Sequence, residues 1–252
     1  VFDRSFEEEF FMKFIFSIIL LISWQVHADL AADLLKASDQ GRGGVEEGLT
    51  WNLKLETTDE GDSTVREFLV KAKGHDAFVE ATAPARNKGE IYLFNDRNMW
   101  FFKPSLKKPV AISARQKLTG QAANGDIAST HYARDYTATL ERTEVLNGEK
   151  MHVLLLKAKA NNLTYDQIRY WISDSSKLAK RAEFLTLEGK PFKLGEMEYG
   201  NTIVLKGKKI PFVSKLTIVD AKFKENLSVI TYDSPKIEDH STSLFNVNRL
   251  SR

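Results

Sequence analysis

From residue 49 onward, apolar and polar residues alternate with a period of two. "LTWNLKLET" puts Leu49, Trp51, Leu53 and Leu55 on one face and Thr50, Asn52, Lys54 and Glu56 on the other, the pattern of a strand with one covered side and one side in water. "TTDEGDS" is a turn, and "VREFLVKA", "GHDAFVEATA", "EIYLFND" and "NMWFFKP" follow as further strands. After a break come "YTATLERTE", "MHVLLLKAK", "QIRYWISD", "KRAEFLTLE", "PFKLGEMEYG", "KKIPFVSKLTIVDA" and "NLSVITYDS". The joints "NDRN", "NGEK", "DSSK", "EGK" and "KGKK" are turn sequences of hairpin length. The pattern predicts about eleven strands in one antiparallel sheet system, which twists and therefore curls or closes.

Two stretches lack the alternation. Asp29 to Arg42 carries Leu30, Leu34, Leu35 and Ala37 at helical spacing, with Asp29 as a cap and Gly41 as a stop. Ile112 to Arg134, "ISARQKLTGQAANGDIASTHYAR", has room for a short helix over Ser113–Leu118 and a second one capped by Asp126 and running through Ala133. A long non-strand excursion inside a β chain is commonly a lid or a binding loop. The expected fold is mainly β, one curved antiparallel sheet with two or three helices over its concave face.

"NMWFF" sharpens that picture. Met99 and Phe101 point one way and Trp100 and Phe102 the other, so both faces of this strand need an apolar partner, either more protein or a ligand. The candidate lining of an apolar cavity is Trp51, Leu53, Phe68, Val70, Phe78, Trp100, Phe102, Leu118, Trp171, Phe184 and Phe212. Each of these serves equally as plain core. Arg86, Lys103, Lys107 and Asp126 are candidates for a polar rim.

Composition adds exclusions. A formal charge of +2 without a lysine-rich run gives no nucleic-acid partner. With no cysteine there is no disulfide, thiolate nucleophile or Cys–zinc site. Met12-Lys13, the apolar run "FIFSIILLI" and the exit Val26-His27-Ala28 form a secretory signal. The run is shorter than the roughly 20 residues of a spanning helix. Cleavage after Ala28 is expected, translation beginning at Met12 and residues 1–28 being lost, which leaves 29–252 as a single domain in the periplasm.

Catalytic signatures are missing. There is no G-x-S-x-G, H-E-x-x-H, Walker-type or G-x-G-x-x-G motif. His75, His131, His152 and His240 lie far apart. "GDIASTHYARDY" gathers Asp126, Ser129, His131 and Asp135, but sequence adjacency rarely makes a triad, and Asp126 as a helix cap is the plainer reading. Glu196 and Glu198 share a strand face and read as a solvated pair. No enzyme activity, metal or cofactor is expected.

Four segments carry a family resemblance: "DRNMWFFKP" (Asp96–Pro104), "QAANGDIASTHYARDY" (Gln121–Tyr136), "KKIPFVSKLTIVDA" (Lys208–Ala221) and "SLFNVNRL" (Ser243–Leu250). With the order signal, helix, strands, excursion, strands, they resemble the periplasmic outer-membrane lipoprotein-sorting proteins and the LolA-like lipoprotein carriers. The resemblance implies an unclosed β-barrel with a helical lid over an apolar cavity. It implies a monomeric carrier for a lipid or the acyl chains of a lipoprotein, loaded by an inner-membrane transporter and unloaded at an outer-membrane acceptor. One position departs from the carriers, which latch the lid with an arginine directly before a proline: here Ala83 precedes Pro84 and Arg86 follows two residues later. The alternative is a sensor or interaction module of the same shape that binds a protein.

Overall fold

The computed structural model describes residues 30–128 and 131–250; the expected signal segment, Asp29 and Ser129 lie outside the described residues. Helix α1 covers 30–40. Strands β1 (Leu49–Asp59), β2 (Asp62–Lys73), β3 (Asp76–Ala83), β4 (Ile91–Asn95), β5 (Asn98–Phe102) and β6 (Val110–Ile112) form an antiparallel meander. The excursion holds the ribbon β7 (Lys117–Thr119) and β8 (Ala122–Ala123), a 3-10 turn over Asn124–Ile127 and the one-turn helix α2 (Tyr132–Asp135). A second meander runs through β9 (Tyr136–Leu146), β10 (Glu149–Ala158), β11 (Gln167–Ser173), β12 (Ala179–Leu185) and β13 (Pro191–Glu198). The hairpin β14 (Asn201–Leu205) and β15 (Lys208–Phe212) stands apart, and β16 (Lys215–Asp220) and β17 (Leu227–Ile237) return to the sheet.

One sheet of thirteen strands results, in the order β6-β5-β4-β3-β2-β1-β17-β16-β13-β12-β11-β10-β9. The two meanders meet where β17 pairs with β1, from Leu49 opposite Ile237 to Thr58 opposite Leu227. The end strands β6 and β9 do not pair with each other, so the barrel is unclosed. Tight turns sit where the sequence marks them. Asn147-Gly148 and Lys206-Gly207 both take positive φ, as two-residue hairpin turns require.

The alternation holds in β1: Leu49, Trp51, Leu53 and Leu55 are buried and Asn52 and Lys54 exposed. Thr50 differs from expectation. It is buried because the C-terminal segment crosses this face and His240 Nε2 meets Thr50 Oγ1 at 2.9 Å. The expected count of about eleven strands is low for two reasons. The short β6, β7 and β8 carry too few residues to show a period, and β14 lies in a stretch where the pattern predicts no strand. "KKIPFVSKLTIVDA" is two strands, broken where Val213 N turns away to donate to Gly41 O. The excursion also differs. Ser113–Leu118 forms a turn leading into β7, and Asp126 lies inside a 3-10 turn with its carboxylate accepting from Ala123 N, so the helix expected through Ala133 shrinks to α2.

The second partner of "NMWFF" is the chain's own C-terminus. The 3-10 turns Thr242–Phe245 and Val247–Leu250 place Phe245 and Leu250 over Leu93 and Phe102, with Phe78 and Trp100 alongside. Phe245 is almost wholly enclosed. Phe245→Ala should therefore cost about 3–5 kcal/mol in urea unfolding, whereas Val145→Ala, at a hairpin end where the valine is 71% exposed, should change stability by less than about 0.5 kcal/mol.

Candidate functional site: the covered concave face

Two pieces of chain cover the concave face. Helix α1 buries Ala31, Leu34 and Leu35 against it. The excursion runs from β6 to β9, from one free sheet edge to the other, and buries Ala122, Ile127, Ala128 and Tyr132 in the same core. It is anchored at β17, where Gln121 N donates to Ser228 Oγ at 2.8 Å. Polar side chains draw the two sheet ends together. Arg97, in the β4–β5 turn, donates from Nε to Asp135 Oδ1 at 2.9 Å, its carbonyl accepts from Asn162 Nδ2 at 2.8 Å, and Arg134 pairs with Asp96.

The expected lining divides between the two faces of the sheet. Trp51, Leu53, Phe68, Val70, Phe184 and Phe212 are buried together on the concave side, and Leu118 packs half-buried against them. Phe78, Trp100, Phe102 and Trp171 stand on the other side. The pleat explains this: Ala77 and Val79 flank Phe78, Tyr170 and Ile172 flank Trp171, and these neighbours face inward. Trp171 packs with Met151 and Val153 and donates to Glu144 Oε1 at 2.7 Å. Met99 and Phe101 are the members of "NMWFF" that belong to the concave core. Of the rim candidates, Arg86, Lys103 and Lys107 are exposed on turns. Asp126 is interior: it is buried and its carboxylate accepts the Tyr165 hydroxyl at 2.8 Å.

Sequence reasoning missed the polar centre of this core. In "QGRGG" (Gln40–Gly44), the helix ends in a turn with Gly43 at φ 98° and Gly41 pressed against Leu178 and Tyr199. That tight turn carries Arg42 inward, where it is only 5% exposed. Its Nη1 donates to Tyr170 Oη at 3.0 Å and its guanidinium lies 4.6 Å from the centre of the Tyr132 ring. Asp39, 3% exposed, accepts from the Ala133 backbone at 2.7 Å. Arg42 and Asp39, beside the α1 C-terminus, thus hold α2 down. The available signal was a lone arginine set among three glycines.

Burial raises the Asp39 carboxyl to about 7, against the smaller opposing effects of the Ala133 backbone N–H and Arg42. Burial likewise raises Asp126 and lowers Lys193, which sits near it and donates to Gln121 O at 2.6 Å. Among the described residues of the excursion, the acids are engaged elsewhere. Asp126 serves Tyr165 and Asp135 serves Arg97, while His131 meets His75 edge to face, ring centres 4.5 Å apart. Among the described residues, no group of three or more His, Asp or Glu is arranged to hold a metal ion.

Asp39 gives the fold a pH dependence with a defined sign. Its folded value of about 7 lies above the ordinary 3.8, so the folded state keeps a proton that the unfolded state loses. Its contribution is fully present below pH ~4 and is lost as pH rises to about 7. The span is on the order of 4 kcal/mol at most. Asp39→Asn should raise the melting temperature at pH 8 and leave it unchanged at pH 4, as read by thermal unfolding across pH; parallel profiles for the two proteins would contradict this.

Comparison with known proteins places this architecture. A family model described as "-like: Uncharacterized protein" matches residues 73–252. No curated protein matches the chain. Among solved structures, a LolA superfamily protein from Nitrosomonas europaea is 28% identical, with a TM-score of 0.77 over 87% of this chain and 98% of its own. A DUF1329 family protein from Desulfovibrio piger is 18% identical, with a TM-score of 0.73 over 89% and 99%. An outer membrane lipoprotein-sorting protein domain from Vibrio parahaemolyticus is 16% identical, with a TM-score of 0.73 over 89% and 100%. The chain belongs to the family whose model spans residues 73–252, and its fold is that of the LolA-like, outer-membrane lipoprotein-sorting proteins.

Proposed function

We propose that this protein is a periplasmic carrier, residues 29–252 forming one lipid-binding domain after loss of the signal segment. It shelters a lipid, or the acyl chains of a lipoprotein, on the concave face during transport to the outer membrane. The observation that carries this reading is the cover. The apolar concave face of a thirteen-stranded sheet is roofed by α1 and by an excursion strung between two unpaired sheet edges. Lifting the excursion breaks no strand pairing of the main sheet and opens the apolar core to which Trp51, Phe68, Phe101, Phe184 and Phe212 belong. An acyl chain laid there gains about 0.8 kcal/mol per methylene withdrawn from water, enough for carriage without any covalent step. A monomer that receives its cargo from an inner-membrane transporter and passes it to an outer-membrane acceptor fits this design. Likeness to a lipoprotein-sorting domain supports the same reading.

One observation favours the second reading, an interaction module for a protein partner: the concave core is already filled by Leu34, Leu35, Ile127 and Tyr132. Mass spectrometry of organic extracts from protein purified out of its native periplasm separates the two. The carrier reading expects a lipid or acyl species in near-equal amount with protein, and protein free of extractable lipid favours the module. Variants of β5 give a further check. Phe101→Ala should weaken binding of a fluorescent fatty acid several-fold with a modest loss of stability. Phe102→Ala, on the face covered by the C-terminus, should lose about 3 kcal/mol of stability with binding unchanged.

A further inference from the structure

The polar centre at Arg42 contains buried hydroxyls that have no hydrogen-bond partner among the described residues. Around the guanidinium stand the phenols of Tyr170, Tyr132, Tyr232 and Tyr199. Among the described residues, Tyr170 accepts from Arg42 and its own proton reaches the Met197 thioether, 3.8 Å away. Tyr199 Oη is buried with no partner among the described residues. Ser38 Oγ, wholly buried beside Tyr170, makes no hydrogen bond of good geometry. Buried polar atoms are nearly always satisfied, so a cluster of orphaned hydroxyls around a cation calls for an acceptor. A guanidinium cannot shed its charge and is shaped to meet a carboxylate or phosphate with two parallel bonds.

We infer that the interior takes an amphiphile with an anionic head, whose oxyanion binds Arg42 together with the Tyr170, Tyr199 and Ser38 hydroxyls in place of the Tyr132 ring. This deepens the carrier reading and rests on it. In the closed structure the face of Tyr132 sits on the guanidinium, a neutral stand-in for a counter-ion. Tyr132 belongs to α2, so lifting the excursion removes that stand-in and bares the arginine to the same space the acyl chain enters. Asp39 is the carboxyl that would oppose an incoming anion. Its raised value of about 7 keeps it largely protonated below neutral pH, and its Oδ1 is itself buried without a partner. The site selects by head and the surrounding aromatic wall by tail. The shared head chemistry covers both a fatty-acid carboxylate and a lipid phosphate.

The test is displacement of a fluorescent acyl probe from the full-length mature protein at pH 6.5. The competitors are dodecanoic acid, its methyl ester, dodecyl phosphate and inorganic phosphate. The acid, the alkyl phosphate or both should compete about tenfold or more better than the ester, and which of them does so names the head. Inorganic phosphate should not displace the probe. Arg42→Gln should bring acid and ester to parity with ester binding retained, and Arg42→Lys should keep part of the preference. Tyr170→Phe, a milder change, should reduce the preference several-fold, which covers the case in which the Arg42 variants fail to fold. Equal competition by acid and ester in the unaltered protein would overturn the anionic-head inference and leave the carrier reading intact. Inorganic phosphate competing as well as dodecyl phosphate would overturn it in favour of a free-anion site. An absence of binding by every amphiphile would overturn the carrier reading and this inference with it.

Discussion

Strands β6 and β9 end the sheet without pairing to each other, and the gap between them governs the arrangement of nearly everything else. Thirteen twisted strands curl far enough to create an inside, yet without closure that inside has an open flank and a large apolar surface facing it. The chain answers by laying the excursion from one free edge to the other and wedging α1 beneath it. The flank itself is drawn together by charged and amide side chains, Arg97 with Asp135 and Asn162, and Arg134 with Asp96. Such contacts are individually weak where water reaches them. A strand-to-strand closure would join these edges by a full ladder of backbone hydrogen bonds, whereas here a few polar side chains hold the seam.

The cover and the interior are linked through one turn. Gln40–Gly44 ends α1, inserts Arg42 among tyrosines and sets Asp39 under α2. The departure read at Ala83-Pro84 stands, and Arg86, two residues later, is exposed on its turn. A cation from the helix side, Arg42, lies over the Tyr132 ring of the cover, while Arg97 and Lys193 reach the cover from the sheet. The contacts thus tie both covering pieces to the sheet.

Much of this was legible in the sequence, and the failures have identifiable causes. The alternation in "LTWNLKLET" gave the correct inward set because the solvent side of β1 carries polar residues. It missed Thr50, because a covering segment from the far end of the chain leaves no local trace. Trp100, Phe102, Phe78 and Trp171 look no different in sequence from Trp51 or Phe68. Only register separates them, and register fixes sides only once a neighbour's parity is known. The excursion defeated pattern reading for another reason: its conformation is set by contacts with the sheet, such as Gln121 to Ser228 and Asp126 to Tyr165. Arg42 was hidden because a buried cation carries no periodic signal at all.

The position of β17 has a consequence for the life of the chain before it is folded. The strand that joins the two meanders follows both of them along the chain, and the segment that covers Trp100 and Phe102 comes later still. Each meander emerges with hairpins that can form locally, but neither has a complete inside until Ile230 reaches Leu55 of β1, about 175 positions away. Pairings over that distance form slowly. A nascent chain of this design therefore holds two locally paired halves without a shared core until β17 has emerged and reached β1.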